Sequence, residues 1–527
     1  MKRFCKTAVL TLLLSCVFCL SAQAMENDML KVGIKYGNDA LSAANLQNYS
    51  AFGGYAFGYY DSSRSFTELG RVGASYEKVT VTTDTTYAIE LDAIYPDYDS
   101  ARSAASAYGG YPAYTLDGYR VRIGTYPTAD AASAASSDYP GASRVTGASP
   151  TGVKIFITDT NTVLFGFDCS GLMSLGIRPI EAGGKTVTWF KGYRYYGGFE
   201  YQRVTGGNIS VINVVGLEDY VKCVIPWEMS NDWPLEALKA QSVCARTYAA
   251  CQTRHKSRGF DVCTTTDCQV YQGTAACSAH SDRAVEETAG EYLWYDGAIV
   301  REAVYYSSNG GASEDAKNVW GTDVGYLKGK TDPYEGRIAS RIAKYNWSTT
   351  YSSAELTTLL KNKGYNIGTV QKLYVSKYTD TGNVLEITFV GTNGTKTFQR
   401  ENCRLVLGLR SMRFTINGGG ADTAGGGVYV NNSSQTATLS GAYVISGSGT
   451  KSAYSGGETY VITSTGKQLL EQQPAQGAPA ASDSFTITGS GSGHNVGLSQ
   501  WGAYAMADLG YTYEDILQFY YTGVTIR

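Results

Sequence analysis

The stretch NISVINVVGLEDYVKCVIPWEMSNDWPLEALKAQSVCARTYAACQTRH, from Asn208 to His255, changes periodicity partway along. Ile209, Val211, Asn213 and Val215 alternate with the period of a strand, and Leu217, Tyr220, Val221 and Val224 then recur at helical spacing. Pro226 lacks the N–H that the next turn requires, so the first helix is expected to stop there. Asn231 or Asp232 is placed to cap a second helix, with Pro234 in its first turn, Glu236 early in it and a helix-forming run to about Arg254. Glu228 then lies in a short connection between the helices, among Ile225, Pro226, Trp227 and Met229. Apolar neighbours remove hydration from a carboxylate and favour the neutral form, which can donate a proton. A loop glutamate is more often a plain surface group, so the surrounding pattern has to decide.

The full 527 residues are too many for one core and predict several packed units. With 44 basic and 47 acidic side chains, net charge −3 and no long run of one sign, the chain has no signature of a nucleic-acid channel or a basic membrane patch. Its 42 tyrosines suit ligands that are part apolar and part hydrogen-bonding, sugars included, and equally suit β-rich interiors. Residues 1–24, MKRFCKTAVLTLLLSCVFCLSAQA, place Lys2, Arg3 and Lys6 before an apolar run and end on Ala22-Gln23-Ala24, the order of an export signal. Cleavage after Ala24 is expected, with a retained membrane anchor as the alternative. Three of the 11 cysteines fall in that segment, and the remaining eight form an even set that permits local disulfides outside the cytoplasm.

Two segments repeat one another: YAIELDAIYPDYDSARSAASAYGGYPAY from Tyr87 and YRVRIGTYPTADAASAASSDYPGAS from Tyr119. Each has an alternating start, a Tyr-Pro turn and an Ala/Ser-rich helical stretch opened by Asp, which predicts one small α+β unit set between β-rich flanks. This unit resembles a SPOR domain, a ferredoxin-like module that binds peptidoglycan glycan strands lacking peptide stems. Residues 418–484 are Gly/Ser/Thr-rich with strand-length apolar runs and read as a β-rich insertion ending in a linker.

The run LEDYVKCVIPWEMSNDWPLEALKAQSVCARTYA is similar to the signature of the stage II sporulation protein D family, peptidoglycan lytic transglycosylases in which the Glu of a P-x-E-M turn is the catalytic acid. The resemblance assigns that role to Glu228 and places Lys239, Arg246 and Tyr248 on the following helix as glycan contacts. Lys239 and Arg246 are two helical turns apart and can share a face. Two more blocks carry the resemblance. AVYYSSNGGASEDAKNVWG implies Ser307, Ser308, Asn309, Gly310 and Gly311 beside the substrate with Trp320 nearby, and GSGSGHNVGLSQWGAYAMADLG implies His494, Ser499, Gln500 and Trp501. Taken alone, SSNGG would be an ordinary turn.

The implied architecture is α+β. A signal occupies 1–24, a multi-segment catalytic domain occupies 25–78, 149–417 and 485–527, the SPOR-like unit occupies 79–148, and the β-rich insertion occupies 418–484. The implied reaction is cleavage of the bond between N-acetylmuramic acid and N-acetylglucosamine to leave 1,6-anhydro ends. A hydrolytic glycosidase would usually use a second carboxylate, and the nearest in sequence, Glu218 and Asp219, sit where acids near a helix start are structural. The reaction requires no cofactor. In RHKSRGFDVCTTTDCQVYQG the resemblance implies zinc on His255, Cys263 and Cys268, although Asp267 stands where a His is expected and the cysteine spacing differs, and a Cys263–Cys268 disulfide is the competing expectation. A Ser499–His494 nucleophilic pair would lack an orienting acid in the motif. The implied partners are peptidoglycan glycan strands and an N-acetylmuramoyl-L-alanine amidase, and the rival function is a non-catalytic wall-binding protein that stimulates such an amidase.

Overall fold

The computed structural model describes residues 28–139, 143–204, 206–417 and 482–527, with six short strands between Gly427 and Leu470. The expected export segment 1–24 lies outside the described residues, and no described helix is long and apolar enough to cross a membrane. The fold is mixed α+β. The chain divides into two compact units, the first made of Met1–Val304, Tyr511–Ile516 and Gly523–Arg527, the second of Tyr305–Gly510 and Leu517–Thr522.

In the first unit, Ile209–Gly216 is an inner strand of a seven-stranded sheet, antiparallel to Met29–Lys35 on one side and Gly198–Arg203 on the other. It was expected to alternate, but all its residues except Gly216 are buried, because both faces are covered. Its one polar amide, Asn213, is satisfied internally: Nδ2 donates to Tyr196 O at 3.0 Å and Gly198 O at 2.9 Å, and Oδ1 accepts from the Tyr271 hydroxyl at 2.7 Å.

The duplicated segment forms four strands and two helices at one end of a ten-stranded sheet. The strands run in the order Tyr111–Thr115, Gly118–Tyr126, Tyr87–Leu91, Ser143–Gly147, all antiparallel, which is a ferredoxin-like arrangement. Tyr111–Thr115 also pairs in parallel with Val163–Asp168, so the unit extends the sheet of its flanks. Ile89, Leu91, Val121 and Ile123 pack with Ala101 and Ala105. Strand alternation sends Glu90 and Arg122 to the opposite face, where they form a buried 2.9 Å pair. Asp97 caps the Tyr98–Ala107 helix as expected, accepting from Ser100 N at 2.8 Å. The Ala129–Ser136 helix is capped by Thr128, with Asp130 inside its first turn.

Two helix boundaries differ from expectation. The first helix continues through Pro226 and spans Leu217–Glu228. Proline removes the N–H that would pair with the carbonyl four residues earlier, Lys222 O, and the Cys277 thiol donates to that carbonyl at 3.4 Å instead. The second helix spans Leu235–Cys251 with Pro234 at its N-cap position and no side-chain cap. Asn231 is occupied elsewhere, its amide donating to Ala276 O at 2.9 Å.

In the second unit, the strands Val370–Tyr378, Val384–Gly391 and Gly394–Gln399 form a meander, and the Ser353–Asn362 helix contributes Leu356 and Leu360 to its core. A separate three-stranded sheet places Ser484–Ser490 between Asn346–Ser352 and Phe414–Asn417. The six short strands between Gly427 and Leu470 pair as three antiparallel hairpins.

Candidate functional site

Glu228 is the last residue of the Leu217–Glu228 helix and is partly exposed. Its sequence neighbours diverge in space: Ile225 and Met229 are buried in the core, while Trp227 keeps 39% of its surface exposed. The carboxyl is oriented by the loop after Val262–Cys263, whose Val270 N–H donates to Glu228 Oε1 at 3.0 Å. That loop is anchored behind the helix pair. Tyr220 donates to Gln269 Oε1 at 3.0 Å, Gln269 Nε2 donates to Ala245 O at 3.3 Å, and the Tyr220 and Tyr271 rings stack at 4.9 Å.

The same loop gathers four potential metal ligands. His255, Cys263, Asp267 and Cys268 place one ligand atom each within 4.8 Å of all the others, a span compatible with bonds of about 2.0–2.3 Å to a tetrahedral ion. His255 is buried, and its Nε2 lies 3.2 Å from Asp267 Oδ2 without making a hydrogen bond. A hydrogen bond from Cys268 is the main cause that moves Cys263 toward its thiolate form. Asp267 therefore takes its place in the cluster, whereas the expected Cys263–Cys268 disulfide does not form: all eight described cysteines are free.

The helix after Glu228 departs from expectation. Arg246 is fully buried, and its Nε and Nη2 grip Glu218 at 2.8 and 2.7 Å. It also donates to Glu291 O at 3.3 Å and Val285 O at 3.2 Å. Lys239 pairs with Glu236 at 2.9 Å and Glu287 at 2.6 Å. The two residues do share a face, but that face meets the chain segment 285–291 and not an open cleft. Arg246 is thus corrected from a glycan contact to a structural cation, and Glu218 is its partner. Tyr248 is also buried, 6% exposed.

In the second unit, the SSNGG and terminal Gly-rich blocks do come together, since Tyr305–Tyr306 pairs in parallel with Leu498–Ser499. Their polar groups turn inward, onto an acid that the sequence did not single out. Glu335, fully buried, accepts from Ser308 Oγ at 2.5 Å, Ser499 Oγ at 2.6 Å, Asn309 N at 2.9 Å and Gly310 N at 3.1 Å. Burial raises its pKa against these donors. Asp332 accepts from Asn309 Nδ2, the Tyr520 hydroxyl, and the backbone N–H groups of Tyr334 and Glu335. Glu314 is a second buried hub, taking Thr379 Oγ1 at 2.6 Å and Asn383 Nδ2 at 3.0 Å.

Ser308, Asn309 and Ser499 are therefore scaffold groups with at most 1% exposure, correcting the expectation that they line a substrate surface. Gly310 serves packing: at φ +66 a Cβ there would meet the Ser490 carbonyl carbon at 2.5 Å. Ser307 stays exposed and Gly311 half-buried. Gln500 is buried, and half-buried Trp501 packs with Ile338, Ile342 and Ala505. His494 points Nε2 at Tyr305 O, 3.0 Å away, and accepts the Val496 N–H on Nδ1 at 3.1 Å. Desolvation lowers its pKa to about 4, so it is neutral near pH 7. With both nitrogens held there and Ser499 bound to Glu335, the Ser–His nucleophilic pair does not form.

Comparison with known proteins places the Glu228 segment in context. Residues 205–295 match the family model SpoIID, the stage II sporulation protein. An uncharacterized protein of Brachyspira hyodysenteriae is 32% identical over 343 residues, covering 64% of this chain and 73% of that one. The amidase enhancer of Bacillus subtilis is 33% identical over 316 residues, 58% of this chain and 40% of the relative. Stage II sporulation protein D of Bacillus subtilis is 26% identical over 337 residues, 60% of this chain and 76% of the relative.

Proposed function

Because the chain belongs to the stage II sporulation protein D family, we propose that it is a peptidoglycan lytic transglycosylase whose general acid is Glu228. The observation that carries the reading is a partly exposed carboxyl at a helix end, beside exposed Trp227, with one oxygen fixed by Val270 N–H, inside the matched segment 205–295. On this reading Glu228, its Oε1 accepting from Val270 N–H, brings the acidic proton. That proton passes to the oxygen linking N-acetylmuramic acid to N-acetylglucosamine, and the C1–O bond breaks. The muramic acid's own C6 hydroxyl attacks C1 and returns its proton to the Glu228 carboxylate. One bond forms, one breaks, and no water is consumed. Trp227 offers an apolar face to a sugar ring.

Digestion of stem-free glycan followed by mass analysis tests this, because anhydro and reducing ends differ by one water. Anhydro ends are expected, reduced about 100-fold or more in Glu228→Gln. Reducing ends would replace the mechanism with hydrolysis. The second reading, a non-catalytic wall protein that stimulates an amidase, is favoured by the likeness to the amidase enhancer. It predicts no new glycan ends with either protein and faster amidase action with both.

The site of action on this reading is the cell wall after export, supported by the order of Lys2, Arg3, Lys6, the apolar run and Ala22-Gln23-Ala24. The ferredoxin-like arrangement alone does not carry glycan binding, because topology does not assign a ligand. His255, Cys263, Asp267 and Cys268 have the donor types and spacing to hold zinc, which would cross-link the loop from which Val270 orients Glu228. One zinc per chain is expected by elemental analysis, falling below about a tenth in Cys263→Ser or Cys268→Ser, together with a lower Tm. Equal zinc content in wild type and variants would refute the site.

A further inference from the structure

We propose that a groove in the second unit, walled by Trp320, Lys396 and Arg400, is a saccharide subsite that reads a free sugar carboxylate and thereby distinguishes stem-free from stem-bearing glycan. The choice of polymer rests on the peptidoglycan reading above.

Trp320 leaves 41% of its surface exposed, yet it is held on two sides. Its indole N–H donates to Glu401 Oε2 at 3.0 Å, and its ring meets the His494 ring at 5.2 Å and 51°. His494 is itself pinned by the Tyr305 carbonyl and the Val496 N–H. The walls are joined through the backbone, since Glu401 N donates to Val319 O at 3.3 Å. An exposed indole fixed in this way loses little rotamer freedom when a sugar stacks on it.

The charges complete the pattern. Arg400 is exposed and adopts a left-handed backbone at φ +59, which is uncommon outside glycine and clusters at ligand sites. Its guanidinium lies across Gly321, where a Cβ would come within 3.0 Å of Nη1, so the glycine keeps that position open. Lys396 adds a second cation 4.5 Å above the Tyr365 ring. The acid of the groove, Glu401, is engaged by Arg404 and by the Trp320 indole. Gln399 and Asn402 add amides at the rim.

An indole face beside two cations and amides suits a sugar with an apolar ring face and a carboxylate, which an arginine fork can hold in two bonds. On a stem-free strand the lactyl group of N-acetylmuramic acid is a free carboxylate. Where a peptide stem is attached, the same carbon is an uncharged amide. Arg400 and Lys396 therefore give the groove a reason to prefer strands from which the stems have been removed.

The test is co-sedimentation of full-length Glu228→Gln protein, which holds substrate without turnover, with three insoluble probes: stem-free glycan, the same glycan with its carboxyls converted to methylamides, and stem-bearing peptidoglycan. At least tenfold tighter binding to the first is expected. That preference should disappear in Arg400→Gln, and binding to all three should weaken in Trp320→Ala. Retention of the preference in Arg400→Gln with an unchanged Tm, or equal affinity for the methylamide, would overturn the proposal. Failure of the lytic reading has a different signature, namely no anhydro ends from wild type while the groove variants still lose binding.

Discussion

Replacing Glu335 with alanine lowers the stability of the second unit by about 4 kcal/mol or more, because four donors lose their common acceptor inside the fold. The two serine hydroxyls can rotate toward other acceptors. The N–H groups of Asn309 and Gly310 cannot, since the chain there is fixed by the Ser308–Ser492 bridge and by Asn495 Nδ2 donating to Asn309 O at 2.9 Å. An unsatisfied buried N–H costs about 1–3 kcal/mol, and the lost side chain leaves a void besides. Burial opposes this, as the raised pKa of Glu335 records, and removing the acid recovers that penalty. The unpaired donors outweigh it, for the carboxyl meets four of them. For a unit of this size the loss corresponds to roughly 8–16 °C in Tm. Calorimetry on Glu335→Ala, with Glu335→Gln as the milder comparison, measures it, and a Tm within about 2 °C of wild type would show that the hub is dispensable.

Arg246→Ala is expected to cost about 3–5 kcal/mol in the first unit. Glu218 is 38% exposed in its side chain and recovers some hydration, but the Val285 and Glu291 carbonyls lose a donor and the guanidinium's volume empties. Arg246→Lys should cost about 1–2 kcal/mol, since an ammonium cannot reproduce the two-pronged grip on Glu218. Lys239→Ala should cost under about 1 kcal/mol, its carboxylate partners being near the surface. Denaturant unfolding of the three variants separates these effects. If Arg246→Lys kept full stability but bound glycan tenfold more weakly, the ligand role first expected for Arg246 would be restored.

The periodicities around Gly216 and the repeat beginning at Tyr87 made the local elements readable, because those patterns are written within a few residues. What covers a face is not local. The seven-residue spacing of Lys239 and Arg246 gave a shared face correctly, while the chain that buries it lies 39 to 45 residues later. Pro226 marked a helix end on every local rule, and the thiol of Cys277, 55 residues from the Lys222 carbonyl that it bonds, supplies the reason that it is not one. Glu335 had no signal at all in TDPYEGRI: its donors come from 25 to 164 residues away. The SSNGG and SQ blocks were each read as facing substrate, whereas they adjoin one another and turn inward, because small hydroxyls and glycines serve an internal acid as readily as a ligand.

The place of Ser484–Ser490 beside Phe414–Asn417 has a consequence for tolerance to change. Asn417 and Thr486 face each other as paired residues, so the polypeptide leaves this sheet and re-enters it at the same end of two neighbouring strands. Closing such an excursion costs entropy that grows only as the logarithm of its length. The intervening stretch can thus be lengthened or trimmed at small entropic cost, and an affinity handle or reporter domain spliced there leaves the surrounding strands to register as before.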